Sequence, residues 1–407
     1  MVDPGITVWQ VKPMDMLTIS ILVLFVGMFL NSRLQILKRN YIPPAVSGGL
    51  LFSVITTAFY LLADIQFEFD MRFRDLLLLV FFSTVGLSSR LSQLARGGKA
   101  LVILVFVAAV FLLMQNIIGV GFAYLAGAPL GYGLMAGSVS LAGGHGTAAA
   151  WAVEAQAAGL SHAGEVGMLF ATFGLISGGL LGGPIARFLI SRNQLSTPGH
   201  DTTAATEVHV TQAKVPAIFA DYPLYPVLRG LLVLAVCVSL GDVINRYLAE
   251  TGLRLPGFLA SMFVGILLTN LLDLAGRPAD LQTLNAFGGV SLHIFLVMSM
   301  MTMQLWHMSS MLLAVFLLLA LQIVAMTLFA SFVVFRLMGS DYDAAVLAAG
   351  FTGLGLGATP VALANVEAVT EHFGPSPKAL IVIPLVGAFF IDLLNAGVIN
   401  LFITFLN

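Results

Sequence analysis

Two glycine-rich runs and one intramembrane carboxylate carry the chemistry open to this sequence. The first run is Ser138-Val139-Ser140-Leu141-Ala142-Gly143-Gly144-His145-Gly146-Thr147. The second is Gly350-Phe351-Thr352-Gly353-Leu354-Gly355-Leu356-Gly357-Ala358-Thr359-Pro360. Glycine costs a helix interior about 1 kcal/mol relative to alanine, and proline about 3. The second run is therefore not expected to form a regular helix. Unwound backbone inside a bilayer is tolerated only where protein or a water-filled cavity satisfies it. The helix N-termini exposed by such breaks attract anionic groups, and the freed carbonyls coordinate cations. Read this way, the runs form a site for a small solute and an ion. Gly143, Gly144, Gly146, Gly353, Gly355 and Gly357 supply backbone, and Ser140, Thr147, Thr352 and Thr359 supply hydroxyls. His145 reads either as a donor to a substrate carboxylate or as a structural histidine bonded to a nearby carbonyl. The competing reading of both runs is close helix packing through small residues.

Asp392 lies near the middle of the last apolar stretch. A carboxylate at a helix centre costs about 2.5–3.5 kcal/mol on insertion scales. Asn395 follows three residues later and faces the same way. An inward Asp–Asn pair suits sodium, a hard cation that prefers oxygen ligands; the alternative is an aspartate that locks two helices by hydrogen bonding. Asn116, beside Gln115 in the fourth apolar stretch, either lines the path or bonds across helices, as does Gln322 in the other half. Asn116, Asp392 and Asn395 are the sodium candidates. Glu154 and Glu165 read as solvated, Arg187 as snorkelling to the cytoplasmic surface, and the acidic cluster from Asp64 to Asp75 as a solvated outer loop.

The elements that hold these residues follow from composition. Of 407 residues, 59% are hydrophobic and 9% are charged, with a mean hydropathy of +0.99. Soluble domains run near 45–50% apolar and about 25% charged. A soluble enzyme, a nucleic-acid binder and a disordered chain are excluded, and the solvent is the lipid bilayer. A net charge of −2 predicts no polyanionic partner. The single cysteine allows no internal disulfide. The first apolar run reads as a retained span rather than a cleaved signal. Continuous apolar runs favour helices over alternating barrel strands.

Apolar stretches fall at 16–36, 43–63, 76–87, 100–126 and 163–190, then at 224–248, 256–275, 286–303, 308–338 and 379–405. The glycine-rich stretches occupy 130–152 and 344–364. The fold class expected is an all-α integral membrane protein. It has two inverted-topology repeats of five transmembrane helices, each with a glycine-rich re-entrant loop. Residues 1–190 form the first repeat, 191–222 a cytoplasmic linker, and 223–407 the second. A shift of about 210 residues superposes Tyr132 on Tyr342, Gly143 on Gly353, and His162-Ala163-Gly164 on His372-Phe373-Gly374. With both termini outside, most of the 18 lysines and arginines fall in cytoplasmic segments, as the positive-inside rule requires. A phosphate-binding loop and a nucleophile elbow are absent from the sequence. Transport energy then comes from an ion gradient or from the solute itself.

Several runs resemble the sodium/glutamate symporter family. They are Gly143 to Thr147, Gly355 to Pro360, and Val386-Gly387-Ala388-Phe389-Phe390-Ile391-Asp392. Tyr41-Ile42-Pro43-Pro44, Met114-Gln115-Asn116, Asp341-Tyr342-Asp343-Ala344-Ala345 and His372-Phe373-Gly374-Pro375 join them. The resemblance covers nearly the whole chain. It departs at Phe351-Thr352 and Leu354, where His-Cys and Phe are expected. It implies sodium-coupled uptake of L-glutamate across a bacterial inner membrane by a homodimer with both termini periplasmic. Sodium is then the co-transported ion, and a transport domain moves against a scaffold in an elevator. The alternatives are a sodium- or proton-coupled carrier for another small carboxylate, and a channel.

Overall fold

The computed structural model describes residues 6–39, 42–90, 97–196, 224–250, 256–307 and 312–406. Strand β1 (Thr7–Val11) precedes α1 (Pro13–Arg33), the short α2 (Gln35–Arg39) and α3 (Pro44–Ala63). Strand β2 (Ile65–Phe69) leads into α4 (Arg72–Ser88) and α5 (Gly98–Leu125). Then come α6 (Leu130–Leu134), α7 (Gly144–Ala157) and α8 (Ala163–Arg192). After the linker region follow α9 (Tyr225–Glu250), α10 (Gly257–Leu274), α11 (Leu281–Met301) and α12 (Leu312–Phe329). The chain ends with α13 (Phe335–Leu337), α14 (Tyr342–Leu356), α15 (Thr359–Phe373), α16 (Pro377–Leu385) and α17 (Ile391–Leu406). Of the expected linker, 191 and 192 belong to α8, 193–196 follow it, and 197–222 lie outside the described residues.

Apolar length decides the helices, and local chemistry starts them. Proline occupies the first turn of α1, α3, α15 and α16, where its missing N–H has no intrahelical partner to lose. Asp280, Asp341 and Ser376 cap α11, α14 and α16 by accepting backbone N–H groups. Among the described residues eight helices are long and apolar enough to cross a bilayer. Residues Pro377–Ala388 and Ile391–Phe405, bent by 45°, make a ninth when taken as one span. The stretch at 76–87 is α4, whose 17 residues extend about 25 Å against a hydrocarbon core of about 30 Å.

The acidic segment before α4 is not a plain loop. Ile65–Phe69 pairs in parallel with Thr7–Val11. Its apolar residues alternate with Gln66 and Glu68, and Phe67 packs edge-on to Trp9 and Phe59 at 6.2 and 5.8 Å. Alternation, rather than charge content, was the governing signal.

The helices pack in two groups. In one, α4 lies against α10 and α11, α3 against α1 and α11, and α9 against α10. In the other, α14 lies against α8, α15 and α16, α7 against α8, and α5 against α6, α12 and α17. The first three long helices of each half thus share one group, and the glycine-rich segments with their flanking helices share the second. The core of the second group includes Phe111, Phe329 and Phe351, whose ring centroids lie 4.9 to 6.1 Å apart. Contacts between the groups are fewer than those within them: α7 touches α11, α4 touches the π-helical turn before α17, and Trp151 packs edge-on to Phe258 at 5.7 Å.

Candidate functional site

Both glycine-rich segments are pairs of helices that meet at a break. The first pair begins with α6, which runs on into a π-helical turn, Met135–Val139. Within it Gly137 leaves helical geometry, at φ −96° and ψ −134°. The chain turns at Gly143 and α7 starts at Gly144, whose φ of +66° is a conformation that glycine adopts without strain. In the second pair α14 ends at Leu356, Gly357 leaves helical geometry at φ −149° and ψ −100°, Ala358 is extended, and α15 starts at Thr359. The two tips touch, since a Cβ on Gly144 would lie 3.2 Å from the Gly357 carbonyl oxygen. Neither α7 nor α15 has a side-chain cap, so each turns the positive end of its dipole and its first-turn N–H groups to this meeting point, α15 with one donor fewer because Pro360 has no N–H.

The break is shorter than the glycine content implies. Helix α14 runs unbroken through Gly350, Gly353 and Gly355. Gly353 lies against the backbone of Ala362, and Gly355 against Met326 and Phe111, so closely that a Cβ would sit 2.1 to 2.4 Å from the nearest atom. Packing through small residues therefore holds inside α14, where tertiary contacts offset the propensity penalty. Unwinding is confined to Gly357 and Ala358.

Side-chain amides tie the breaks to the neighbouring helices. Asn116 Oδ1, on α5, accepts from the Ser138 N–H at 2.8 Å. Asn395 Nδ2, on α17, donates to the Ser138 carbonyl at 2.8 Å. Gln115 Nε2 donates to the Gly355 carbonyl at 2.8 Å, and Gln322 Nε2 to the Gln115 carbonyl at 2.9 Å. All four side chains are fully buried. Each is left with one idle polar atom: Asn116 Nδ2, Asn395 Oδ1, Gln115 Oε1 and Gln322 Oε1 have no partner, and neither does Ser138 Oγ. Leaving a buried polar group unpaired costs about 1–3 kcal/mol. A cluster of five around the breaks is the feature a bound polar solute would satisfy.

The hydroxyls are mostly engaged elsewhere. Ser140 Oγ donates to the Met135 carbonyl at 2.5 Å, inside its own π-helical turn. Thr352 Oγ1 donates to the Ala349 carbonyl at 2.7 Å and accepts from Asn365 Nδ2 at 3.3 Å. Thr147 packs under Gly143, and Thr359 Oγ1 lies over Gly387, 2.4 Å from where a Cβ would be. Gly146 faces the other helix group, with Phe81 and Leu292 near its missing Cβ at 3.4 and 3.5 Å. His145 Nε2 lies 3.0 Å from Thr172 Oγ1, whose own proton goes to the Met168 carbonyl. Nε2 is therefore the protonated nitrogen and donates to the hydroxyl. Asp392 is half-buried and makes no hydrogen bond or ion pair with the described residues.

Three contributors escaped the sequence reading. Asn365 bonds to the carbonyls of Gly178 and Ala349 and joins α15 to α8 and α14; the spacing of Gly174, Gly178 and Gly182 was its available signal. Ser138 lies in the first run, but nothing in its residue type announces two amides on its backbone. Glu165, expected to be solvated, is only 5% exposed. Its Oε1 accepts from the Gln304 N–H at 3.1 Å and joins α8 to the end of α11, while Oε2 has no partner.

The two halves repeat one tether. Tyr132 OH, on α6, donates to the Ser161 carbonyl just before α8. Tyr342 OH, on α14, donates to the Gly374 carbonyl just before α16. Each tyrosine ties the entrance of its helical pair to the exit.

A family model described as sodium/glutamate symporter matches residues 9–375. A sodium/glutamate symporter from Haemophilus influenzae is 39% identical over 393 residues, covering 95% of this chain and 96% of that protein. One from Escherichia coli is 41% identical over 389 residues, with the same coverage. Among solved structures, a sodium proton antiporter from Methanocaldococcus jannaschii matches 97% of this chain and 98% of its own, at 16% identity and a TM-score of 0.44.

Proposed function

The chain belongs to the sodium/glutamate symporter family, and from that premise we propose that it carries L-glutamate with sodium through the site where the two hairpin tips meet. It acts as a transporter, not an enzyme, and sodium is the co-transported ion. The observation that carries the site is the meeting of two uncapped helix N-termini at Gly144 and Gly357, beside buried amides with idle atoms. Glutamate brings two carboxylates and one ammonium at neutral pH. Helix N-termini receive carboxylates without a buried cationic side chain. Sodium adds positive charge and makes the anionic solute easier to bury, a coupling that is reciprocal by linkage.

The amides divide the work by polarity. An N–H can be accepted only by Asn116 oxygen, and a carbonyl can be met only by Asn395 nitrogen, so both orientations are set by Ser138. Asn116 then offers a donor, which suits a substrate carboxylate rather than sodium. Asn395 offers an oxygen and, with Asp392 one turn away, remains on the sodium side. The backbone of Gly143, Gly144, Gly146 and Gly357 receives the solute. Thr147 and Thr359 have hydroxyls better placed to contribute than the engaged Ser140 and Thr352.

The packing supports alternating access of the elevator kind. The group holding α5 to α8 and α12 to α17 is the transport domain, and the group holding α1 to α4 and α9 to α11 is the scaffold. The fewer contacts between them favour sliding. Exchange of the halves turns the contact of α3 with α11 into that of α10 with α4, and the Tyr132 tether into the Tyr342 tether. This reciprocity favours two inverted repeats with re-entrant hairpins. A homodimer in a bacterial inner membrane with periplasmic termini completes the reading.

Uptake of labelled L-glutamate into proteoliposomes tests the function. The expected result is accumulation that needs an inward sodium gradient and collapses with a sodium ionophore. Proton-driven uptake without sodium, or none from well-inserted protein, points to another carboxylate carrier.

A further inference from the structure

The C-terminal end of α8 combines positive charge with an apolar groove. A concavity of about 620 Å³ is lined by Gly183, Pro184, Arg187, Phe188, Ser191 and Arg192. A second groove of about 410 Å³ shares Pro184 and Phe188 with it and continues along Leu181, Ile185, Leu328 and Phe332, between α8 and the π-helical turn after α12. The Arg192 guanidinium lies over the Phe188 ring at 5.5 Å, which places a cation at the seam of the two. Among the described residues neither Arg187 nor Arg192 is paired with a carboxylate.

We propose that this pair of open grooves binds an anionic phospholipid, with its phosphate between Arg187 and Arg192 and an acyl chain in the groove beside Pro184, Phe188 and Phe332. Depth fits the assignment. Helix α8 has 30 residues, about 45 Å of helix against about 30 Å of hydrocarbon, so its last turns reach the headgroup level. Charge fits as well, because two unpaired guanidinium groups take a phosphate bidentately. A zwitterionic headgroup brings a cation back into that pocket. A second copy of the chain on the same face brings two more arginines and repels. A water-soluble phosphate leaves the groove unfilled. The lipid spans α8, from the first half, and α12, from the second, inside one helix group, so it stabilises that group as a unit. The assignment is independent of what the protein transports.

Thermal unfolding of the purified full-length protein in neutral detergent is the test, with phosphatidylglycerol, phosphatidylcholine or glycerol 3-phosphate added. The expected result is a midpoint raised by phosphatidylglycerol at concentrations about tenfold below those of phosphatidylcholine, with no effect of glycerol 3-phosphate. The Arg187→Gln/Arg192→Gln variant loses that preference. Equal response to both lipids, or a preference that survives in the variant, overturns the proposal, and an equal response to glycerol 3-phosphate makes this a plain anion site. Photocrosslinking of wild-type protein with an acyl-labelled phosphatidylglycerol removes dependence on the variant. Label is expected on the 181–192 and 327–332 segments, and label spread evenly over lipid-facing helices contradicts the site.

Discussion

Asn116 and Asn395 hold opposite ends of one residue's backbone. Asn116 Oδ1 takes the Ser138 N–H and Asn395 Nδ2 takes the Ser138 carbonyl, each at 2.8 Å. The two come from α5 and α17, in different halves of the chain. They fix the break in the first hairpin and face their idle atoms in chemically opposite senses, one a donor and one an acceptor.

Asn116→Asp keeps the acceptor for Ser138 and replaces the donor with an oxygen. Its expected effect is an increase of about tenfold or more in the KM for glutamate, about 1.4 kcal/mol, with little change in the sodium concentration for half-maximal uptake. A shift confined to sodium returns Asn116 to the cation side.

Asn395→Ala and Asp392→Asn act on the other partner. Each is expected to raise the sodium concentration for half-maximal uptake by about tenfold while surface expression stays near wild type. An unchanged sodium dependence in Asp392→Asn removes that residue from the ion site.

Gly144→Val and Gly357→Val test the tips. Gly144 has a φ of +66°, where a side chain costs roughly 1–2 kcal/mol, and any side chain there approaches the Gly357 carbonyl. Both variants are expected to insert and to lose uptake by more than about tenfold. Normal transport by both places the solute elsewhere.

Much of this was legible because lipid imposes long apolar runs. Each expected span falls on a helix or, at 308–338 and 379–405, on consecutive helical segments, and the break at Gly143-Gly144 follows from local composition. The rest depends on partners far along the chain. Nothing near Thr352 announces that Asn365 will take its hydroxyl, and nothing near Ser140 announces the π-helical turn that turns its hydroxyl back onto Met135. Gly353 and Gly355 read as helix breakers, yet close packing against Ala362 and Met326 keeps them helical. Glu165 reads as solvated because its partner, the Gln304 N–H, lies far along the chain, just after α11.

That bond gives a further prediction. Glu165→Ala leaves the Gln304 N–H unpaired and is expected to lower stability by about 1–3 kcal/mol. Glu165→Gln keeps an acceptor and restores most of it. Equal loss in both variants assigns the effect to the charge rather than to the bond between α8 and the end of α11.

In the proposed mechanism glutamate and sodium share one site and bind by mutual affinity. Equilibrium binding of L-glutamate to the purified protein over a range of sodium concentrations, and of sodium over a range of glutamate concentrations, measures this directly. Each ligand is expected to tighten the other by the same factor, as linkage requires, and the factor is expected to shrink in Asn395→Ala. Glutamate affinity that does not change with sodium contradicts the mechanism.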